Sequence, residues 1–276
     1  MPINRSVLIT GCSSGIGLAT AHVLKNRGWQ VIASARQDKD VARLKTMGFQ
    51  AMRLNVADSE SIAAALDVTL TLTRGKLDAL VNNAGLAIPG AIEDLSREVF
   101  ERQFDTNFFG TIELTNAVLR VMRRQSHGRI VMVSSILGRV AVPWRGAYNA
   151  SKFALEGITD TLRLELRGTD IKVSLICPGP VKSRFRDNAL ANFDEYVDVA
   201  SSPHWESYVR LKAQTGETKD KTPFTVPAEA VAKKIARILE SRRPKARYYV
   251  TLPAYALAFA RCVLPTRWMD AILSRI

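Results

Sequence analysis

Acidic residues are under-represented in this chain of 276: 26 Asp and Glu stand against 39 Lys and Arg, a formal charge of +13. Such a field turns attention to anionic partners, namely nucleic acid, an anionic membrane or a phosphorylated small molecule. Cysteine is nearly missing. Cys12, Cys177 and Cys262 are odd in number and lack metal-ligand spacing, which argues against a disulfide framework or a zinc site and fits a reducing compartment. Histidine is equally scarce, and His22, His127 and His204 lie far apart with no carboxylate at a companion spacing. None is assigned chemistry. No apolar run approaches the roughly 20 residues that a bilayer span requires; the stretch from Tyr248 to Ala260 has 13 and contains Pro253. A strand-like run begins at Ser6, too early for a targeting peptide ahead of it, so the cytoplasm is the expected location.

The rest of the composition, 47% hydrophobic and 24% charged, is that of a globular chain able to build a packed core. Short β-branched runs recur at Val7–Ile9, Val31–Ala33, Met52–Leu54, Leu80–Val81, Ile130–Val133 and Val173–Ile176, separated by helix-length segments. That alternation predicts a doubly wound parallel α/β sheet with helices on both faces. Ile62, Leu66, Thr69 and Leu70 recur at helical spacing, as do Phe104, Phe108 and Ile112. The chain, 1–276, reads as one Rossmann-type domain. Within it, 182–226 is polar with scattered aromatics and is expected to be an irregular lid. A helix follows from about Ala228 to Ser241, then a last strand at Arg247–Val250, and the tail 253–276 reads as two short helices divided by Pro265. The second should bury a face of Trp268, Met269, Ile272, Leu273 and Ile276.

Directly after the first strand stands Thr10-Gly11-Cys12-Ser13-Ser14-Gly15-Ile16-Gly17. Glycines at a strand-to-helix junction allow a tight turn and close approach of a pyrophosphate to the helix N-terminus, where unpaired N–H groups and the dipole favour anions. The segment lacks the Gly-Lys-Ser/Thr ending of a nucleoside-triphosphate loop. Tyr148 and Lys152 are four apart, hence on one helix face, where an ammonium should lower a phenol pKa from its ordinary value of about 10 and make it a usable acid. Asn107 sits among apolar residues and needs hydrogen-bond partners if buried.

These segments together resemble the short-chain dehydrogenase/reductase family. The resemblance rests on Thr10-Gly11-x-x-x-Gly15-Ile16-Gly17, Asn82-Asn83-Ala84-Gly85, Asn107, Ser135, the Tyr148/Lys152 pair and Pro178-Gly179-Pro180-Val181, and it covers about residues 4 to 250. It implies that Tyr148 protonates a substrate carbonyl oxygen, that Ser135 orients it, that Lys152 also binds the nicotinamide ribose and that Asn107 serves a water-linked proton relay. It places the cofactor on Gly11, Ser13, Ser14, Gly15, Ile16, Gly17, Arg36, Asn55, Val56, Asn83, Ala84, Gly85, Tyr148, Lys152, Pro178, Gly179, Val181 and Ser183. Two positions depart from the family pattern: Asn55 stands where an aspartate is common, and Ser183 where a threonine is usual. Members usually pair through the helix bearing the tyrosine, so a dimer or tetramer is implied.

Cofactor choice is read at the end of the second strand, where an acidic residue would bind a ribose 2′-hydroxyl. Here Ala35 and Arg36 follow instead, and an arginine suits a 2′-phosphate, so NADP(H) is expected. Leu137, Val140, Val142, Pro143 and Trp144, with Phe185, Phe193 and Tyr196 from the lid, suggest an apolar wall for a hydrophobic carbonyl or alcohol substrate. Within the family the chain resembles the 17β-hydroxysteroid and retinol dehydrogenase-like group, and bacterial NADP-dependent aldehyde reductases above all. The expected activity is NADPH-dependent reduction of a hydrophobic aldehyde or ketone. The alternatives are a hydroxysteroid or retinol dehydrogenase and a non-catalytic NADP(H)-sensing regulator. No nucleic-acid motif accompanies the basic cluster Arg120, Arg123, Arg124, His127 and Arg129, so nucleic acid is not expected. The basic tail either covers the pocket, rests on an anionic membrane surface, or packs onto the body or across a dimer.

Overall fold

The computed structural model describes residues 5–217 and 223–275. Its strands are β1 (Ser6–Ile9), β2 (Gln30–Ala35), β3 (Gln50–Arg53), β4 (Ala79–Asn82), β5 (His127–Val133), β6 (Asp170–Cys177), β7 (Val181–Lys182), β8 (Val226–Pro227) and β9 (Arg247–Tyr249). Its helices are α1 (Gly15–Lys25), α2 (Asp38–Thr46), α3 (Ser59–Leu72), α4 (Arg97–Phe104), α5 (Gly110–Gln125), α6 (Gly146–Glu165), α7 (Phe185–Tyr196), α8 (Trp205–Glu217), α9 (Ala228–Glu240), α10 (Leu252–Val263) and α11 (Thr266–Leu273). Seven strands pair in parallel in the order β3-β2-β1-β4-β5-β6-β9, and β7 and β8 form a separate two-stranded ribbon.

The period-2 alternation of side chains decides which core each strand residue joins. Val7, Ile9, Val31, Val131 and Val133 face one side, where they pack with Leu24 of α1 and Val231 and Ile235 of α9. Leu8, Ile32, Ile130 and Met132 face the other, against Ile62, Leu114, Val118 and Leu155 of α3, α5 and α6. With both faces covered, β1 and β4 are wholly buried, as parallel strands require. The strand order reverses between β1 and β4, and a crevice at that switch point, beyond the carboxyl ends of the strands, is where such sheets take ligands.

Two expectations are corrected here. The segment expected to be an irregular lid is largely helical in its described residues: Phe185, Ala189 and Phe193 recur every four residues, and α7 buries Ala189 and Phe193, while α8 sinks Tyr208, which is 1% exposed. The tail does form two helices, but α11 buries only Met269 and Leu273 and leaves Trp268 and Ile272 exposed. Ile276 lies outside the described residues.

Between α4 and α5 the rod widens into a π turn, Asp105–Phe109. Such single-turn insertions in α-helices are frequent at functional sites. Gly110 closes it, because a Cβ there would stand 1.6 Å from the Val56 carbonyl oxygen.

Candidate active site

The segments singled out in the sequence converge on the carboxyl edge of the sheet. Gly11 follows β1 with φ +71°, and Gly15 opens α1 with φ +58°, both in the left-handed region that favours glycine. A Cβ on Gly17 would lie 2.3 Å from the Gly11 carbonyl oxygen, so the turn closes only with hydrogen there. Ser14 precedes α1 in extended conformation, yet its side chain caps no helix N–H. The first N–H groups of α1 therefore remain available to an anion. Thr10 clamps the turn to β4: its hydroxyl accepts from Asn83 N at 2.9 Å and Ala84 N at 2.8 Å. The Asn83 amide donates to the carbonyls of Thr10 at 2.9 Å and Gly11 at 3.1 Å. A cradle walled by glycines and lined with donors fits the pyrophosphate of a dinucleotide.

Around it lie the other expected contacts. Arg36, just beyond β2, is exposed and pairs with no carboxylate among the described residues. Asn55 follows β3, where its backbone N–H donates to Ser61 Oγ at 3.0 Å, and Val56 beside it is buried against the π turn. Gly85 lies under the site, since a Cβ there would stand 3.2 Å from Asn107 Oδ1 and 3.8 Å from Lys152 Nζ. Pro178 accepts from Ile136 N at 2.9 Å, and a Cβ on Gly179 would strike Thr251 Oγ1 at 2.1 Å. Val181 opens the small ribbon. Ser183 stands so close to Gly15 that a Cβ on the glycine would approach its Cβ to 3.1 Å, which brings the start of the lid over the cradle. Arg43 was not anticipated: it donates to the Ser13 carbonyl, as Arg184 does at 3.3 Å. Its position on α2 carries no motif, so only the fold brings it there.

At the reacting end, Ser135 follows β5 and its Oγ accepts from Leu137 N at 3.1 Å. Tyr148 and Lys152 lie on the buried face of α6. Lys152 Nζ donates to the Val133 carbonyl at 2.9 Å and sits 5.8 Å from the centre of the tyrosine ring. Asn107, inside the π turn, donates to Leu86 O at 3.0 Å and Ser151 Oγ at 3.1 Å and accepts from Leu86 N at 2.9 Å. Both amide donors are thus committed, and the side chain braces the turn that follows Gly85. Ser151, unremarked in the sequence, closes this network.

The expected lowering of the Tyr148 phenol by Lys152 is not what the geometry gives. Burial raises the phenol above its ordinary value, opposed by the Ser135 hydrogen bond and the Arg145 charge. Burial likewise pulls Lys152 down to about 8, against the charge of Glu156. Desolvation outweighs attraction between the two in the cofactor-free protein. A pH dependence follows. Between about 8 and the ordinary lysine value, the unfolded chain holds a proton on Lys152 that the folded chain has released, so stability rises with pH across that window. Relative to Lys152→Met, the wild-type protein should gain up to about 1 kcal/mol per pH unit there. Denaturant melts from pH 7.5 to 9.5 would show it, and parallel slopes in the two proteins would refute it.

The apolar wall is redistributed. Tyr148 is grouped with Ala87, Leu137, Phe185 and Ala189. Val140 and Val142 pack against the tail instead, and Trp144, Phe193 and Tyr196 join a lid core around Tyr208. Two histidines also acquire carboxylates that their sequence spacing hid: His127 Nε2 lies 2.9 Å from Asp78, and His204 Nε2 lies 2.5 Å from Glu93. His204 edges onto Trp144, 5.1 Å between ring centres, and onto Tyr208, and no group of side chains among those described could hold a metal.

An anion cradle at the switch point of a parallel sheet, with a buried tyrosine, lysine and serine beside it, defines a dinucleotide-dependent oxidoreductase. The chain belongs to the short chain dehydrogenase family, whose model matches residues 5–193. Among its relatives it is 42% identical over 271 residues to the uncharacterized oxidoreductase YbbO of Escherichia coli K12, covering 98% of this chain and 94% of the relative. It is 36% identical over 254 residues to retinol dehydrogenase 8 of Homo sapiens, covering 88% and 80%. It is 33% identical over 260 residues to human 17-beta-hydroxysteroid dehydrogenase type 1, covering 89% and 77%. These place it in a retinol- and hydroxysteroid-dehydrogenase-like group. Similar solved structures include a short chain dehydrogenase/reductase from Burkholderia phymatum in complex with NAD, with TM-score 0.78, 25% identity and coverage of 98% and 95%. Another is serine dehydrogenase complexed with NADP+, with TM-score 0.77, 26% identity and coverage of 90% and 94%.

Proposed function

We propose that this protein is an NADPH-dependent carbonyl reductase that converts hydrophobic aldehydes or ketones to alcohols. The observation that carries the reading is the burial of Tyr148 against Ala87, Leu137, Phe185 and Ala189, beside the Ser135 hydroxyl. A proton donor in such a setting stays protonated at neutral pH and accepts an apolar molecule with one polar atom. When bound, the nicotinamide dinucleotide supplies the hydride. Ser135 Oγ donates a hydrogen bond to the carbonyl oxygen, and Tyr148 Oη transfers its proton to that oxygen as negative charge develops. Lys152 spends one ammonium proton on Val133 O and keeps two for the ribose hydroxyls. Asn107 holds the Gly85–Leu86 backbone in place, and any relay through it runs by its main chain. Leu137, Phe185 and the rest of the wall exclude water from the transfer.

Preference for NADPH is supported by Arg36, which pairs with no carboxylate among the described residues, with Arg43, itself paired with Asp40, and Arg184 nearby at the Ser13 carbonyl. Arg36→Ala should raise KM for NADPH about 10- to 100-fold, a charge-assisted contact's worth, and leave KM for NADH within about threefold. A parallel rise for both cofactors in steady-state assays would remove Arg36 as the discriminating contact. The substrate class is tested by NADPH oxidation with aliphatic, aromatic and retinoid aldehydes beside steroid ketones, with NADH as control. A second reading, a retinol or hydroxysteroid dehydrogenase, draws on the similarity to those two human enzymes; selective turnover of retinoids or steroids in that panel would establish it. The exposed Phe153 and Leu164 of α6, with Phe109 exposed at the end of the π turn, support a dimer or tetramer built through α6, which light scattering would read. Three free thiols suit work in a reducing cytoplasm.

A further inference from the structure

Surface helices of globular proteins turn large apolar side chains inward and polar ones outward. α10 does the opposite. Its inward positions are the small Ala254 and Ala258, both buried, whereas Leu252 is 66% exposed, Phe259 70% and Val263 56%. These three share one side of the helix with Tyr255, whose hydroxyl accepts from Lys234. α11 adds Trp268, 65% exposed, and Ile272, 42% exposed. Both helices are anchored by their other sides in one small core with Ile136 and Val140, so the outward side chains are held in place rather than frayed. α10 contains no acidic residue; α10 and α11 carry Arg261 and Arg267, and Arg275 follows just after α11, against the single Asp270. Earlier in the same C-terminal segment, Lys233, Arg237, Arg242, Arg243 and Lys245 are exposed as well. From residue 229 onward, ten Lys and Arg face three Asp and Glu, a net of +7.

Exposed apolar patches rimmed by charge mark interaction surfaces. Aromatic and aliphatic side chains projecting between arginines are the composition of a segment that lies in the headgroup region of a bilayer. We propose that α10 and α11 form a peripheral docking surface for an anionic phospholipid membrane. Phe259, Val263, Trp268 and Ile272 enter the acyl boundary, and Arg261, Arg267 and Arg275 meet the lipid phosphates. A second copy of the chain suits the face less well, because it would set two net-positive rims against each other. No helix of the described residues is long and apolar enough to cross a membrane, so contact is at one leaflet. Because α10 and α11 pack on the Ile136–Gly138 turn that follows Ser135, docking brings the pocket wall next to the lipid. The inference does not depend on the proposed reaction.

Flotation of the full chain with vesicles of phosphatidylcholine alone, or mixed with phosphatidylglycerol, tests it. At least about tenfold more protein should float with the anionic vesicles, the difference shrinking in high salt, as expected for charges worth about fivefold each. Phe259→Glu combined with Trp268→Glu should lose that binding by tenfold or more, with melting temperature, oligomeric state and NADPH binding unchanged. Equal flotation of wild type and double variant overturns the proposal. So does absence of flotation, or binding to neutral vesicles that salt does not alter. A double variant that no longer self-associates would reassign the face to a second copy and overturn it too. NADPH oxidation with the carbonyl panel, measured in solution on the same wild-type preparation, reports the carbonyl-reductase reading separately, so failure of either is recognised independently.

Discussion

Tyr148→Phe should lower kcat by at least about 10³-fold while leaving NADPH binding within about twofold. The substitution removes one oxygen from a ring that stays packed against Phe185, whose centroid is 5.8 Å away, so the apolar wall is kept. What disappears is the hydroxyl proposed to protonate the carbonyl oxygen beside Ser135. General-acid groups contribute about 10²–10⁴-fold, and here the lost hydroxyl also takes with it a hydrogen bond to the developing alkoxide. Cofactor binding, read by quenching of tryptophan fluorescence, persists because the glycine cradle, Arg36 and Lys152 are untouched. Wild-type turnover in this variant would eliminate the mechanism. Full binding with no turnover in the wild-type protein across the carbonyl panel would instead favour a non-catalytic NADP(H) sensor.

Arg247→Met should destabilise the fold by about 3–5 kcal/mol, the cost of breaking a buried ion pair from one side. Arg247 Nε lies 2.6 Å from Glu156 Oε2, and its other arm lies 2.5 Å from Asp160 Oδ2. Glu156 is only 5% exposed, and its second oxygen accepts from the Cys177 thiol at 3.2 Å. Without the guanidinium that carboxylate has no water to turn to. A chain of this size should melt about 10 °C lower by calorimetry. Adding Glu156→Gln should restore a good part, because it removes the stranded charge. A melting point within 2 °C of wild type for Arg247→Met alone would show the pair to be dispensable. Glu156 lies four residues beyond Lys152 on α6, so the pair also ties the last strand of the sheet to the helix that carries the tyrosine and lysine.

The sheet was legible because most of its main strands are compact runs rich in β-branched residues, and β1, β2, β4, β5 and β6 fall where those runs lie; β3, Gln50-Ala51-Met52-Arg53, has no β-branched residue and only overlaps the expected Met52–Leu54. The glycine-rich turn was legible for a related reason: Gly11, Gly15 and Gly17 are obliged by φ or by close approach, and sequence spacing records both. The lid helices were not, since Phe185, Ala189 and Phe193 are spread thinly among charged residues and their period shows only once Tyr208 is known to lie beneath them. The pocket wall was half misassigned because an apolar side chain does not announce which core it joins; Val140 and Trp144, four residues apart, go to different ones. Long-range polar partners were wholly hidden. Arg247 and Glu156 are 91 residues apart, and His127 and Asp78 are 49 apart. The phenol pKa was misjudged because helical spacing reports proximity and is silent about solvent.

The extra residue in the π turn at Asp105–Phe109 makes α4 and α5 one rod with two rotational phases. Each residue turns an α-helix by about 100°, so the insertion lets α4 aim Gln103 at the backbone of Leu86 and Ile88 while α5 keeps Leu114 and Val118 against the sheet. Removing Thr106 would heal the rod into an unbroken α-helix at the expense of that phase offset. The shortened protein would trade function for local regularity: its helix would be easier to form, and its Asn107 would no longer reach Leu86 and Ser151. A part of the molecule that looks like a defect in a helix is the device that keeps two otherwise incompatible faces in register.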